Sequence, residues 1–271
     1  MRGGQEVTPK DSLQFIILIT SLVTDSDSKH HKKHYCTGNL IAPNWVLTSG
    51  HCFPQKTKEI LLQWMSSRTF WGHKYWKCSR KALQFFLLED QKPGGEFGDK
   101  DLALVEIEPC AESSNPVKLA RKRKHFRAGK KRKSFRCVTA GFGQTLNNDN
   151  TALKLRKLDV RDEELLLYCE DKKICIYFNE EGRGTCKGDS GGPILCNGQL
   201  YGILSHIQYN IEPWHCGMEK ITSVYEDVRD HLTWINNTIS ICNSPVYLNS
   251  STAIYPSFTL ILIICLLLYL G

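Results

Sequence analysis

The amino-acid sequence predicts an all-β fold, organised as a barrel or a sandwich. Two observations lead to this expectation. Short runs of apolar, strand-forming residues recur between turn residues, and little of the chain has the 3.6-residue period of an amphipathic helix. A length of 271 residues is also sufficient for a sizeable β core. The six clearest runs are residues 39–49, 59–64, 102–108, 137–143, 193–196 and 200–207.

One late segment departs from this pattern. Residues 225–239 carry Val228, Leu232, Trp234 and Ile235 at mixed steps of three and four residues. Such spacing is typical of a helix. We therefore expect a C-terminal helix over about 225–239.

The cysteines predict an oxidising compartment. There are twelve of them, and no two have the CxxC spacing of common zinc sites. Disulfides of a secreted protein are the better explanation, and we expect no metal and no cofactor. Two sequons, beginning at Asn236 and Asn249, agree with secretion and predict glycosylation at those asparagines.

The two ends of the chain bear on localisation. The last fourteen residues, 258–271, are apolar but shorter than the roughly twenty residues of a membrane span. With the polar stalk 243–257 and its small residues near Asn249, they have the layout of a GPI-attachment signal. A GPI anchor, a marginal membrane anchor and a peptide packed on the fold all remain open. Residues 13–23 have the length of a signal-peptide core, but acidic residues follow them, so we expect a buried strand here and a true signal further upstream.

Three polar residues stand out against the strand pattern. Ser190 lies in the glycine-rich stretch 184-GTCKGDSGGPILC-196, His51 follows small residues at the end of an apolar run, and Asp101 heads another apolar run. Each has an ordinary structural explanation as a turn serine, a structural histidine or a strand-capping aspartate. Together they supply a nucleophile, a base and an acid that could orient the base.

In this order the three residues resemble the chymotrypsin/trypsin-type serine protease family. The matching motifs are TSGHC at His51, DLAL at Asp101 and GDSGGP at Ser190. The resemblance covers roughly residues 1–242 and implies an extracellular serine endopeptidase that hydrolyses protein or peptide substrates and meets serine protease inhibitors. It implies two six-stranded antiparallel β-barrels with a C-terminal helix. The implied parts are a barrel at about 13–117, a basic interbarrel segment at 118–136 and a second barrel at about 137–224.

The same resemblance assigns roles to these residues. Ser190 would attack the scissile carbonyl, His51 would take its proton and return it to the leaving amine, and Asp101 would orient the imidazole. The backbone N–H groups of Gly188 and Ser190 would form an oxyanion hole, where a glycine at 188 leaves the approach open.

Activation in this family pairs a new N-terminal amine with the aspartate before the serine, here Asp189. Family members begin Ile-Val-Gly-Gly at that point, whereas this chain begins Met1-Arg2-Gly3-Gly4. Three explanations stay open. The sequence could start at a mature domain with a replaced first residue, the true start could be missing, or the protein could remain zymogen-like.

The resemblance also places a substrate pocket. Its floor is Gly184, where an aspartate would select Lys or Arg, so trypsin-like cleavage is not expected. Ile207 stands where open pockets carry glycine, and Ser223 is the other wall, which favours small aliphatic or apolar P1 residues. Ser205 would support the triad aspartate, and its neighbour His206 replaces a customary tryptophan.

The disulfides implied by the resemblance account for eight cysteines. The pairs are Cys36–Cys52, Cys137–Cys196, Cys186–Cys216 and Cys169–Cys175. For the rest of the domain we expect Cys110–Cys242, which leaves Cys78 over, and Cys265 lies in the tail.

The basic segment 118–136 is a compositional anomaly. It holds eleven Lys or Arg and no acidic residue. It is either a solvated connection, a site for heparin-like glycosaminoglycans, or a target for a basic-specific protease. Nucleic acid is not expected, because no aromatic stacking platform accompanies the charge. The alternative function is therefore a catalytically weak homologue that binds glycosaminoglycan or a protein partner.

Overall fold

The computed structural model describes most of the chain. The described residues are 1–24, 31–54, 56–70, 73–88, 100–110, 115–121, 136–145, 154–167, 169, 172–209 and 215–242. The predicted stalk, tail and Asn249, and residues 122–135 of the basic segment, lie outside them. Among the described residues, no helix has the length and apolar character needed to cross a membrane.

The first half of the chain forms a closed six-stranded barrel. After a short strand β1 (Gln5–Glu6), the barrel strands are β2 (Ile16–Thr24), β3 (His31–Ala42), β4 (Trp45–Thr48), β5 (Thr57–Phe70), β6 (His73–Leu87) and β7 (Ala103–Ile107). Their order around the barrel is β2-β3-β4-β7-β6-β5. Ile16 to Ile19 are all buried, which confirms that the apolar run near the N-terminus is a core strand.

The second half forms a nine-stranded sheet. Its strands are β8 (Lys118–Leu119), β9 (Cys137–Gly141), β10 (Arg156–Val160), β11 (Leu165–Leu167), β12 (Ile174–Phe178), β13 (Pro193–Cys196), β14 (Gln199–Gln208) and β15 (Ile221–Asp227), together with β1. The order is β1-β10-β9-β13-β14-β15-β12-β11, with β8 parallel to β14 beside this path. The all-β class, a closed six-stranded barrel and a C-terminal helix are confirmed. The second sheet has nine strands and not six, because three short strands, β1, β8 and β11, belong to it.

The N-terminal strand belongs to the second half, although it comes first in the chain. β1 pairs antiparallel with β10, with Gln5 opposite Lys157. The Met1 side chain is consequently buried in the hydrophobic core of the second half, together with Phe178, Ile221 and Tyr225. This pairing carries the N-terminal amine to the loop that holds Ser190.

The C-terminal helix α1 spans Leu232–Cys242, so the predicted range 225–239 was wrong at its start. Residues 221–227 are a strand held between two neighbours, with Tyr225 opposite both Ile174 and Leu204. The strand ends at Asp227, whose side chain accepts the Arg229 N–H and caps a single 3₁₀ turn. These cross-strand bonds outweigh the helix-like spacing of the sequence.

All four disulfides implied by the resemblance are confirmed: Cys36–Cys52, Cys137–Cys196, Cys169–Cys175 and Cys186–Cys216. The expected Cys110–Cys242 pair is wrong, because Cys110 is bonded to Cys78. Strand register explains the difference. β6 and β7 are antiparallel with Ala82 opposite Ile107, so Cys78, before Ala82, and Cys110, after Ile107, come together.

Candidate active site

The structure brings His51 and Asp101 together through one strand pair. His51 lies in the 3₁₀ turn that follows β4, and Asp101 lies just before β7. The two strands are antiparallel with Thr48 opposite Ala103. His51 Nδ1 is 2.7 Å from Asp101 Oδ2, and the His51 backbone N–H donates to Asp101 Oδ1 at 2.9 Å. Because an ionised carboxylate only accepts, Nδ1 carries the hydrogen and Nε2 is the basic nitrogen.

Asp101 is fully buried yet remains ionised. Burial on its own would raise the pKa of Asp101, but hydrogen bonds from His51 and Ser205 and the charge of His51 hold that pKa well below its usual value. The Ser205 hydroxyl donates to Oδ2 at 2.7 Å. The predicted support of Asp101 by Ser205 is therefore present as a hydrogen bond.

Ser190 comes from the second half and is tied to the first barrel. The Thr37 N–H donates to the Ser190 carbonyl at 2.8 Å, and the Asn39 side-chain amide donates to the Gly191 carbonyl at 2.8 Å. Gly191 is required here, because a Cβ would lie 2.1 Å from the Thr37 carbonyl oxygen and φ is +79°. Cys52 Sγ is 4.0 Å from the same Ser190 carbonyl oxygen. The Ser190 backbone thus lies against the residue that follows His51.

The cysteines beside His51 are not a metal site. Ligand atoms of Cys36, Cys52 and His51 lie within 4.8 Å of one another, but the two sulfurs are bonded to each other as a disulfide. A disulfide sulfur has no thiolate to offer a metal. The bridge instead fixes the backbone on which His51 sits.

Hydrogen bonds orient the N–H groups of Gly188 and Ser190. The carbonyl before Gly188 accepts the Gln144 N–H at 2.9 Å, and the carbonyl before Ser190 accepts the Gly192 N–H at 2.8 Å. In a trans peptide the N–H points opposite to the carbonyl. Both N–H groups are therefore set by their own peptide planes, and Gly188, with φ +92°, adopts a conformation that favours glycine.

The N-terminal amine is paired with Asp189. The Met1 ammonium lies 2.9 Å from Asp189 Oδ2, with both side chains fully buried, and it donates to the carbonyls of Gly143 at 2.9 Å and Gln144 at 2.7 Å. Asp189 also accepts the N–H groups of Gly143 and Cys186, each at 2.8 Å. The structure therefore contains a buried ion pair between the Met1 ammonium and the Asp189 carboxylate.

The expected pocket residues are close together, and the structure adds two to them. Gly184 has φ +145°, and a Cβ there would lie 2.6 Å from Ile221 Cδ1. Thr185 Oγ1 and Ser223 Oγ are 2.6 Å apart and buried, and Ile207 is opposite Ser223 in the β14–β15 register. Sequence reasoning missed Ile221 and Thr185. Ile221 could have been found, because it lies two residues before Ser223 on one face of a strand.

Sequence reasoning also missed one side chain near Asp101, that of Glu226, whereas it had singled out His206. The Asp101 N–H donates to Glu226 Oε1 at 3.0 Å, and His206 Nδ1 lies 3.2 Å from Ser205 Oγ. No local motif marks Glu226, which is 125 residues from Asp101. Asn236, the described sequon asparagine, is exposed on α1.

Comparison with known proteins decides the family. The family model described as Trypsin matches residues 3–235. The chain belongs to the trypsin family.

Its relatives in the trypsin family are distant. Granzyme M of Rattus norvegicus is 30% identical over 221 residues, which cover 77% of this chain and 79% of that protein. A trypsin of Squalus acanthias is 27% identical and covers 76% and 86% respectively. A solved structure described as an atomic-resolution structure of HBP has a TM-score of 0.61 at 19% identity and covers 89% of this chain and 97% of its own, which supports the trypsin-like fold. Membership of this family makes the chain a serine protease homologue at the general level.

Proposed function

We propose that this trypsin-family protein is an extracellular serine endopeptidase whose nucleophile is Ser190. The observation that carries the proposal is the pair of the buried Asp101 with the partly exposed His51, 2.7 Å between Oδ2 and Nδ1. This pair lies beside a loop in which the N–H groups of Gly188 and Ser190 are oriented by hydrogen bonds. The five disulfides are typical of proteins in an oxidising compartment.

Each group has one task in the proposed mechanism. His51 Nε2 takes the Ser190 hydroxyl proton as the oxygen attacks the peptide carbonyl, and it later gives the proton to the leaving amine. Asp101 keeps the hydrogen on Nδ1 and stabilises the imidazolium. The two backbone N–H groups stabilise the oxyanion of the tetrahedral intermediate, where each donor is worth about 3 to 4 kcal/mol. Water then hydrolyses the acyl-enzyme by the same proton transfers.

We further propose that the pocket accepts small apolar P1 side chains. Ile221 occupies the space beside Gly184, and Ile207 lies opposite Ser223. The Thr185 and Ser223 hydroxyls are hydrogen-bonded to each other. Their hydrogen-bonding capacity is therefore already partly used within the pocket and does not call for a polar substrate side chain. A neutral pocket with branched apolar walls discriminates against charged side chains, whose desolvation costs several kcal/mol.

The Met1–Asp189 ion pair is assigned the role of holding the active form. Asp189 lies between Gly188 and Ser190, the two residues that supply the oxyanion donors. Its carboxylate connects the buried amine to the N–H groups of Gly143 and Cys186. We propose that this pairing fixes the loop in the arrangement needed for catalysis.

Labelling with a fluorophosphonate probe tests the proposed function. The purified wild-type chain should be labelled, and Ser190→Ala and His51→Ala should not. A peptide library with every P1 residue should then show cleavage after small apolar residues and none after Lys or Arg. Folded wild-type protein that is not labelled would overturn the endopeptidase proposal.

The basic segment supports a second activity, binding of heparin-like glycosaminoglycans. The chain has a formal net charge of +7, and eleven Lys or Arg lie among residues 118–136. Lys118 and Arg121, the described basic residues at its start, are exposed. Ser190→Ala protein should bind a heparin column and elute with salt. A variant with Lys122→Gln, Arg123→Ser and Lys124→Gln should elute at a lower salt concentration. Equal elution of the two would contradict this assignment. Glycosylation and attachment to the cell surface stay predictions.

A further inference from the structure

A second acidic side chain lies directly behind the triad aspartate. Glu226 on β15 is 2% exposed, and its Oε1 accepts the Asp101 backbone N–H at 3.0 Å. Asp101 precedes a strand of the first barrel, whereas Glu226 belongs to the sheet of the second half. The Glu226 carboxylate thus connects the two halves at the residue that orients His51.

Two basic side chains compensate the charge of Glu226. Lys173 Nζ donates to Glu226 Oε1, and His231 Nε2 lies 3.5 Å from Oε2. Burial would raise the pKa of Glu226, but the His231 and Lys173 contacts and the Asp101 N–H together lower it. Glu226 is therefore a carboxylate at neutral pH, and Lys173, 15% exposed, is its main permanent counter-charge.

Among the described residues, His206 and Asp227 also carry titratable groups near this pair. His206 is half-buried, and burial lowers its pKa, against the influence of Asp101, so it is neutral at neutral pH. Asp227, next to Glu226 in the chain, is paired with Arg229 at 2.7 Å between Oδ1 and Nε. Of these described groups, Glu226 carries a negative charge and Lys173 a positive charge next to Asp101, and His231 is a titratable neighbour of Glu226.

We propose that Glu226 and Lys173 are positioning residues of the triad: Glu226 holds the Asp101 backbone, and Lys173 cancels the Glu226 charge so that Asp101 supplies the net negative charge beside His51. This inference rests on the proposed endopeptidase function. In this role the two residues act on His51 through Asp101 and do not contact the substrate.

The proposal predicts opposite effects from two single substitutions. Lys173→Met leaves the Glu226 carboxylate behind Asp101 without its lysine, which favours a positive charge at the triad, so the acid limb of kcat/KM should move to higher pH by about 0.5 to 1 pH unit. Glu226→Gln keeps an oxygen for the Asp101 N–H but leaves the Lys173 charge, so the acid limb should move to lower pH by a similar amount. The double variant carries neither charge and should return close to the wild-type value. If the two residues had a purely structural role, the single substitutions would not shift the acid limb in opposite directions, and the shifts would not cancel in the double variant.

The experiment measures the acid limb of kcat/KM against pH for the wild type, both single variants and the double variant, with a neutral peptide substrate. His51 ring titrations by NMR are recorded for the same four proteins in a Ser190→Ala background. Lys172→Met is the matched control: it removes an exposed lysine next to Lys173 and should leave the limb unchanged. If Lys173→Met does not fold, the comparison of Glu226→Gln with the double variant decides alone.

Opposite shifts that cancel in the double variant support the inference. Shifts in one direction, shifts that do not cancel, or no shift would overturn it. The two proposals can fail separately. Absence of probe labelling in the wild type overturns the endopeptidase function, while the His51 titrations, which need no activity, still decide the roles of Glu226 and Lys173.

Discussion

Asp189→Asn is expected to reduce the reactivity of Ser190 about a hundred- to a few-thousand-fold. The asparagine has the shape of the aspartate but no charge, so the Met1 ammonium loses its counter-ion. That ammonium is fully buried, 2.9 Å from Asp189 Oδ2. The amide also offers one acceptor oxygen, where the carboxylate serves the N–H groups of both Gly143 and Cys186.

The magnitude follows from the cost of an uncompensated buried charge. Removing one partner of a buried ion pair costs about 3 to 5 kcal/mol, and each 1.4 kcal/mol is roughly a tenfold change in an equilibrium. The protein can avoid this cost by withdrawing the amine from its site. The loop around Asp189 would then lose the bonds that place Gly188 and Ser190, so most of the cost should appear as a smaller population of reactive molecules.

The assay is the rate of fluorophosphonate labelling per folded molecule, with unfolding in urea measured in parallel. Asp227→Asn provides the matched control, because Asp227 is also buried, at 2% exposed against 0% for Asp189, and is paired with Arg229. It should lose comparable stability and keep the wild-type labelling rate. Acetylation of the Met1 amine should reproduce the labelling defect of Asp189→Asn.

Labelling of Asp189→Asn at the wild-type rate would refute this reasoning. Such a result, with a loss of stability equal to that of Asp227→Asn, would mean that the Met1–Asp189 pair stabilises the fold without holding the reactive arrangement. A defect in both variants would instead point to general destabilisation.

Three other substitutions test the site. Ser205→Ala should lower kcat/KM about 10- to 100-fold and should also lower the unfolding free energy by about 1.5 to 3 kcal/mol, because it removes a buried hydrogen bond to the charged Asp101 carboxylate; unchanged kinetics would contradict this. Gly184→Asp should not confer cleavage after Lys and should lower the unfolding free energy by about 1 to 3 kcal/mol, because its Cβ would lie 2.6 Å from Ile221 Cδ1; efficient cleavage after Lys would refute it. Asp101 has a lowered folded-state pKa, so its contribution to stability is complete above its unfolded pKa of about 3.9 and declines as the pH falls towards the folded value. Urea unfolding between pH 7 and pH 3 should therefore show a smaller loss of stability for Asp101→Asn than for the wild type.

The parts of the site that the sequence predicted are those carried by short motifs. TSGHC, DLAL and GDSGGP each fix a local turn or strand end, and the three together identified His51, Asp101 and Ser190. The all-β fold class was also predictable, because apolar runs such as Ile16 to Ile19 form buried strands whichever neighbouring strands they pair with.

The parts that were missed depend on which strands become neighbours. Val228 and Leu232 have helical spacing, but residues 221–227 form a strand because β15 pairs with both β12 and β14. Cys110 joins Cys78 because β6 and β7 pair in one register. Lys173 and Glu226 are 53 residues apart, and nothing in either local sequence marks them as partners.

The environment of Asp101 explains why both halves of the chain are needed for the candidate site. His51 comes from the same barrel, but the Ser205 hydroxyl and the Glu226 acceptor come from β14 and β15 of the second half. Without the Ser205 hydroxyl, Asp101 would lose one of the hydrogen bonds that lower the pKa of its carboxyl against the effect of burial. Without Glu226, the Asp101 backbone N–H would lose its acceptor. The position and the charge of the carboxylate that holds the hydrogen on His51 Nδ1 therefore depend on residues from both halves of the chain.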